Sequence, residues 1–172
     1  MKVNANLSTM LLSLLLFGGG MVYFVIAFSS QDVLWFMGGF DGLPDRVVVY
    51  HEGQKTVYTV GTPGYVELAE GVRSSLNQGV ARISSIGLSA DSLKDAYGQY
   101  VSVEAFFDQP VKLHAWFYTG KPKQMLFLIT GRHSDEATVY LSVTGQYMSG
   151  APVLKTKQPL LVALASLGFK TQ

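Results

Sequence analysis

Cysteine is absent from the chain. Its absence removes disulfides, thiolate metal sites, thioether-linked haem, iron–sulfur clusters with cysteine ligands and a cysteine-linked lipid anchor. Charge is also scarce. Only 15% of the residues are charged, against about 25% in an ordinary soluble protein. One apolar segment accounts for part of that deficit; the rest points to a fold with more covered surface than average. A basic excess is missing too. Of the 13 basic residues, Lys2 precedes the apolar segment, and the others balance the 12 acidic ones. A neutral chain without a basic stripe argues against nucleic acid as a partner, and it carries no polybasic run of the kind that holds a protein on anionic lipid.

Local catalytic motifs are missing as well. His51, His114 and His133 do not have the spacing of metal ligands. His51 and Glu52 begin like a zinc-protease helix, but Lys55 stands where the second histidine is required. There is no Gly-x-Ser-x-Gly elbow and no Ser-x-x-Lys pair. Gly39, Phe40, Asp41 and Gly42 lack the lysine and the strand–helix frame of a phosphate loop. His133, Asp135 and Glu136 read as a polar turn rather than a cation site. The chain therefore implies no catalytic residue, no cofactor and no metal.

Present instead is one long hydrophobic run, residues 10–28, uncharged throughout. At about 1.5 Å per residue, a helix of that length matches the hydrocarbon thickness of a bilayer. It is longer than the apolar core of a signal peptide, and the small residues around Ala27 and Ser29 make a poor cleavage site, so a retained transmembrane helix is the reading. Lys2 on one side and Asp32 as the first charge on the other place the tail, residues 1–9, in the cytoplasm and the remainder outside the cell membrane. Gly18, Gly19 and Gly20 interrupt the run, and Ser13, Gly20 and Ala27 recur every seven residues on one stripe. Tolerated glycines in a generic anchor are the plain explanation. A groove for a neighbouring helix, with Ser13, Gly18, Gly19, Gly20 and Ala27 as packing residues, is the sharper one.

Residues 29–45 read as a connector. Val33, Leu34, Trp35, Phe36 and Met37 cluster just past the span, and Trp35 and Phe36 suit an interfacial anchor. Residues 46–172 then read as an α+β domain. Arg46 to Val60 forms a β-hairpin around Glu52 and Gly53. Thr62 and Pro63 open a helix with Tyr65, Leu68, Ala69, Val72 and Leu76 on one face. Residues 80–87 read as extended, and Ser89 caps a short second helix. Four antiparallel strands follow as a meander, at residues 100–108, 111–118, 124–130 and 138–143. The third, apolar throughout, reads as a central strand covered on both faces. An irregular link at 147–156 leads to a C-terminal helix at 159–167.

Alternation along the meander gathers Tyr100, Glu104, Phe106, His114, Trp116, Tyr118 and Tyr140, with Lys112, on one face. Such a face is either a second core layer covered by a helix or hairpin, or a partner-binding patch. Function follows from position rather than chemistry. The chain reads as a non-catalytic, single-pass, membrane-anchored accessory or structural subunit, its partners being the lipid bilayer and other membrane protein subunits. A regulatory or sensory binding domain outside the membrane is the alternative, and an anchored hydrolase the least supported.

Overall fold

A computed structural model describes residues 6–37, 39–40 and 42–171. Lys2 and the first five residues of the tail lie outside the described residues, as do Gly38 and Asp41 of the connector. The first element, α1 (Leu7–Ser30), is a helix long and apolar enough to cross a membrane. Large apolar side chains are exposed all round it, among them Leu11, Leu15, Phe17, Val22 and Phe28. It ends in a reversal. Gln31 adopts the left-handed conformation at φ 54°, and the Asp32 N–H donates to Ala27 O at 3.1 Å. This six-to-one closure satisfies the last carbonyls of the helix and turns the chain back.

The α+β part is built on a five-stranded antiparallel sheet. Its strands are β1 (Arg46–His51), β2 (Gln54–Thr59), β4 (Ser102–Phe106), β5 (Gln124–Leu128) and β6 (Val139–Ser142), in the order β2-β1-β4-β5-β6. A two-stranded sheet pairs β3 (Val80–Ser84) with β7 (Ala151–Leu154). The β1–β2 turn needs two positive-φ residues, supplied by Glu52 and Gly53, which matches the right-handed twist of a two-residue hairpin.

Alternation sorts the side chains into two layers. Val47 and Val49, Val103 and Ala105, Met125 and Phe127, and Val139 and Leu141 point to the main core. Helices α2 (Tyr65–Asn77) and α4 (Gln158–Ser166) cover it with Leu68, Val72, Leu76, Leu160 and Leu164. The two helices approach so closely at Gly71 that a Cβ there would lie 2.9 Å from the Ala163 Cβ. On the opposite face Leu126, Leu128 and Tyr140 meet Ala96 of α3 (Ala90–Gly98) in a smaller cluster. Strand β5 is thus covered on both sides, as its uninterrupted apolar sequence requires.

The class and the N-terminal apolar helix follow the sequence, but three elements differ. Residues 111–118 form no strand. Both edges of β4 are already taken, by β1 and β5, so this stretch cannot pair with the strand it follows and the meander has three strands instead of four. Residues 107–123 form instead one long β4–β5 connection whose ends meet, with the Phe107 N–H donating to Lys123 O at 2.8 Å. Part of the expected irregular link is strand β7. Helix α2 begins at Tyr65 after Gly64, because the Thr62 hydroxyl is engaged with the backbone of Thr59 and closes a turn rather than capping the helix. The Ser89 cap of α3 is present, accepting from the Ser92 N–H at 3.1 Å.

Candidate functional site

The junction between α1 and the sheet is organised by Asp32, the first charge after the apolar run. Its carboxylate is buried. Oδ1 accepts from the Leu34 N–H at 3.0 Å and pairs with Lys112 Nζ at 3.1 Å; Oδ2 meets His114 Nδ1 at 2.8 Å. Lys112 also donates to Gln31 O at 3.3 Å. Burial opposes the charged form, but His114, the Leu34 amide and Lys112 together outweigh it and hold the Asp32 carboxyl below its ordinary range. A lowered carboxyl pKa stabilises the folded state above the unfolded value, and that stabilisation fades as pH falls through the lower, folded value. The tie is therefore complete at neutral pH and weakens only in acid, below the ordinary carboxylate range. We expect Asp32→Ala to loosen the junction by about 2–3 kcal/mol, the worth of hydrogen bonds to a charged group. The measurement is limited proteolysis of the connector in the detergent-solubilised full chain. The variant should be cut faster at neutral pH, and the parent should approach that rate only in acid.

The connector folds back along the helix. Tyr23 donates its hydroxyl to Val33 O at 2.9 Å, and its ring meets Phe36 edge-on at 6.1 Å between centroids. Val33, Phe36 and Met37 stay exposed, Trp35 is half-buried, and the Trp35 Nε1 finds no acceptor among the described residues. On α1, Ser13, Gly18 and Gly19 are open, and beyond the adjacent helix backbone none of the described atoms lies within 4 Å of a Cβ placed on Gly18, Gly19 or Gly20. Ala27 differs. It is only 8% exposed, because the chain turns back over it, so it does not share the open stripe.

A second constellation surrounds Glu104, 2% exposed in the middle of the sheet. Tyr50 of β1 donates to Oε2 at 3.0 Å and Tyr97 of α3 to Oε1 at 2.8 Å. The Tyr147 hydroxyl and the Gln124 amide of β5 also donate to Oε1. None of the ion pairs among the described residues includes Glu104. Burial, with the carboxylate adding to it, pushes Tyr50 and Tyr147 well above the ordinary phenol range. Burial raises Tyr97 too, a hydrogen bond with Tyr147 offsetting part of the rise. All three phenols are thus held protonated as donors. The arrangement gives one carboxyl group four neutral donors and ties β1, β4, β5, α3 and the β6–β7 loop together.

The seven residues grouped by alternation do not share a surface. Glu104 and Tyr140 are buried beneath α3, Tyr140 at 1%. Tyr100 packs its ring against Gly131. Phe106 carries the Arg46 guanidinium 4.0 Å above its ring. His114 is taken by Asp32. Trp116 and Tyr118 remain, each 50% exposed, on the 107–123 loop rather than the sheet. The covered reading therefore holds for the sheet face, and the exposed aromatics belong to a different place because residues 111–118 never pair. Sequence reasoning missed Asp32 and Lys112 as a junction, and Tyr50, Tyr97, Gln124 and Tyr147 as the carboxylate's donors. Asp32 carried a faint signal, being an isolated charge at the end of an apolar run.

Among the described residues no group of three or more His, Asp or Glu is placed to hold a metal ion. An enclosed cavity of about 40 Å³ lies beside Tyr140, lined by Leu88, Ser92, Asp95, Tyr100 and His133. It has room for water but not for a metabolite, whose sites run to about 300 Å³ or more. A shallower cleft of about 330 Å³ lies where α1 ends, between Ser30 and Gln31 on one side and Lys112, Tyr118 and Lys121 on the other.

No protein-family model matches the chain, and no curated protein matches it. The crystal structure of YycH from Bacillus subtilis is similar, with a TM-score of 0.49 and 17% identity over 72% of this chain and 37% of that one. The chain thus spans well under half the length of that solved structure.

Proposed function

We propose that the chain is a non-catalytic, single-pass anchored accessory subunit of a membrane protein complex. Helix α1 crosses the cell membrane, the tail lies in the cytoplasm, and the α+β part stands outside. The observation that carries the reading is α1 itself. Its large apolar side chains are exposed on every side, which lipid or neighbouring helices must cover. Gly18, Gly19 and Gly20 leave a notch that no other described part of this chain fills, and backbones approach closely at such notches. Trp35 and Phe36, folded back beside Tyr23, suit the headgroup level.

The test is co-purification of the full chain in mild detergent, with partners identified by mass. A stoichiometric membrane-protein partner, lost in Gly20→Leu while the variant remains in the carbonate-washed membrane, is the expected result. A chain that carbonate releases, or a Gly20→Leu variant that retains the same complex, would sink it. A ligand-sensing role is the second reading: the enclosed cavity beside Tyr140 is too small for a metabolite, so a ligand would have to sit in the open clefts, about 690 Å³ between α2 and α4 or about 330 Å³ at the end of α1.

A further inference from the structure

The long β4–β5 connection gives Phe107 and Leu113 to the core and Lys112 and His114 to the Asp32 junction, and neither role uses the side chains of Trp116 and Tyr118. Connections of more than about 12–15 residues without regular structure are uncommon in compact folds and tend to carry function. This one is anchored from inside. Leu113 and Ala115 are buried, Thr119 Oγ1 donates to Leu113 O at 3.0 Å, and the Val111 N–H donates to Pro122 O at 3.0 Å. Two aromatic side chains are nevertheless left outward, Trp116 and Tyr118. An exposed Trp and Tyr two residues apart on a braced loop are not explained by folding.

Their position is fixed relative to α1. Lys112 donates to Gln31 O, His114 meets Asp32, and Tyr118 and Lys121 line one cleft with Ser30 and Gln31. Trp116 lies two residues from His114 and two from Tyr118, within about 7 Å of chain on either side. The apolar part of α1, residues 7–28, is about 33 Å long at 1.5 Å per residue, close to the roughly 30 Å of a hydrocarbon core. That places Ser30 to Asp32 among the headgroups, and the loop bound to them at the same level. From Gln109 through Ser134 there is no acidic residue, while Lys112, Lys121, Lys123 and Arg132 fall in that stretch. Asp32 is buried and paired, and the two exposed carboxylates near the loop, Asp108 and Asp45, lie at its base, where the Asp108 N–H donates to Asp45 Oδ2 at 2.7 Å.

We propose that residues 107–123 form a second membrane contact, in which Trp116 and Tyr118 enter the lipid headgroup region beside the exit of α1. An indole and a phenol are suited to this layer, each with an apolar body and a polar tip. Exposed Lys121 adds a cation able to reach lipid phosphate. The occupant is the bilayer of α1 itself and not a protein, because the loop is tied to the point where the chain leaves that bilayer. The proposal rests on α1 spanning the membrane, and its test separates the two.

The chain has two tryptophans, Trp35 and Trp116, so Trp35→Phe leaves Trp116 as sole reporter. The purified full chain is reconstituted into vesicles of phosphatidylcholine and phosphatidylglycerol with brominated acyl chains. Trp116 emission is expected to shift to shorter wavelength and to lose most of its intensity relative to unbrominated vesicles. Because the chain has no cysteine, Tyr118→Cys bearing a nitroxide gives an independent depth reading, expected to show more contact with oxygen than with a water-soluble nickel chelate. Unquenched, water-exposed Trp116 in a chain that carbonate does not release overturns the loop contact and leaves the anchor standing. A surface reserved for a protein gives that same result, since the vesicles contain no partner. Release of the chain by carbonate overturns both.

Discussion

Glu104→Ala is expected to cost about 3–5 kcal/mol of folding stability, a large share of the roughly 5–15 kcal/mol that holds a typical domain together. The carboxylate is the common acceptor for Tyr50, Tyr97, Tyr147 and Gln124. Its removal takes the acceptor from three half-buried hydroxyls and one of the two acceptors of the Gln124 amide, which keeps Tyr147 Oη at 3.0 Å, and each unpaired buried group costs about 1–3 kcal/mol before relaxation. The loss falls below the simple sum because Tyr97 and Tyr147 can turn toward one another; their hydroxyls already lie 3.3 Å apart. The urea midpoint of the full chain in detergent is the measurement. Tyr147→Phe removes one donor and leaves the Gln124 amide its bond to Glu104, so it should cost far less. If Glu104→Ala shifts the midpoint no more than Tyr147→Phe does, the carboxylate is not what ties the strands, α3 and the β6–β7 loop together.

Gly131→Ala is expected to be nearly as damaging, at about 2–4 kcal/mol, although it adds a single methyl group. Two effects combine. The backbone sits at φ +87°, where a side chain is strained, and an added Cβ would overlap the Tyr100 ring itself. The ring cannot easily retreat, because the flanking backbone is fixed. The Val101 N–H donates to Thr130 Oγ1 at 2.8 Å, and the Thr130 N–H donates to Val101 O at 3.1 Å. Tyr100 also borders the small cavity beside Tyr140, so a displaced ring would disturb both the end of the sheet and that cavity. The same denaturation experiment reads the effect. Gly145→Ala is the comparison, since it shares a positive φ but meets nothing within 4 Å. Equal costs at the two positions would show that backbone strain alone matters and that the ring contact does not.

Much of the fold was legible because local pattern and global placement agree. Strand β5 is apolar at every position from Met125 to Leu128 and lies between two covered faces. Helix α2 buries Leu68, Ala69, Val72 and Leu76 at helical spacing. Ser89 caps α3 as its hydroxyl suggests. The misreadings share one cause. Residues 111–118 alternate like a strand, but alternation says nothing about whether a neighbouring edge is free, and β4 has none. Strand β7 contains Pro152, which weakens the local strand signal, and its pairing with β3 joins residues about seventy positions apart. The candidate sites were less legible for the same reason. Asp32 and His114 are 82 residues apart and Tyr50 and Glu104 are 54 apart. Side-chain pairs at such separations leave no trace in local spacing. Alternation did place Glu104 among aromatics, yet one of its donors, Tyr147, comes from the stretch that read as irregular.

The reversal at Gln31 has a mechanical consequence. A flexible tether would let the sheet swing freely about the end of the helix. Here the chain doubles back at once, Tyr23 grips Val33, and Asp32 is held by Lys112 and His114. Rotation of α1 about its own axis is therefore transmitted to the sheet as torque. Each residue of an α-helix advances the azimuth by about 100°, so inserting one residue into α1 would turn the Gln31 reversal, and what is tied to it, by that angle relative to the rest of the helix. The two ends behave as a key and its handle: turning one in its seat turns the other.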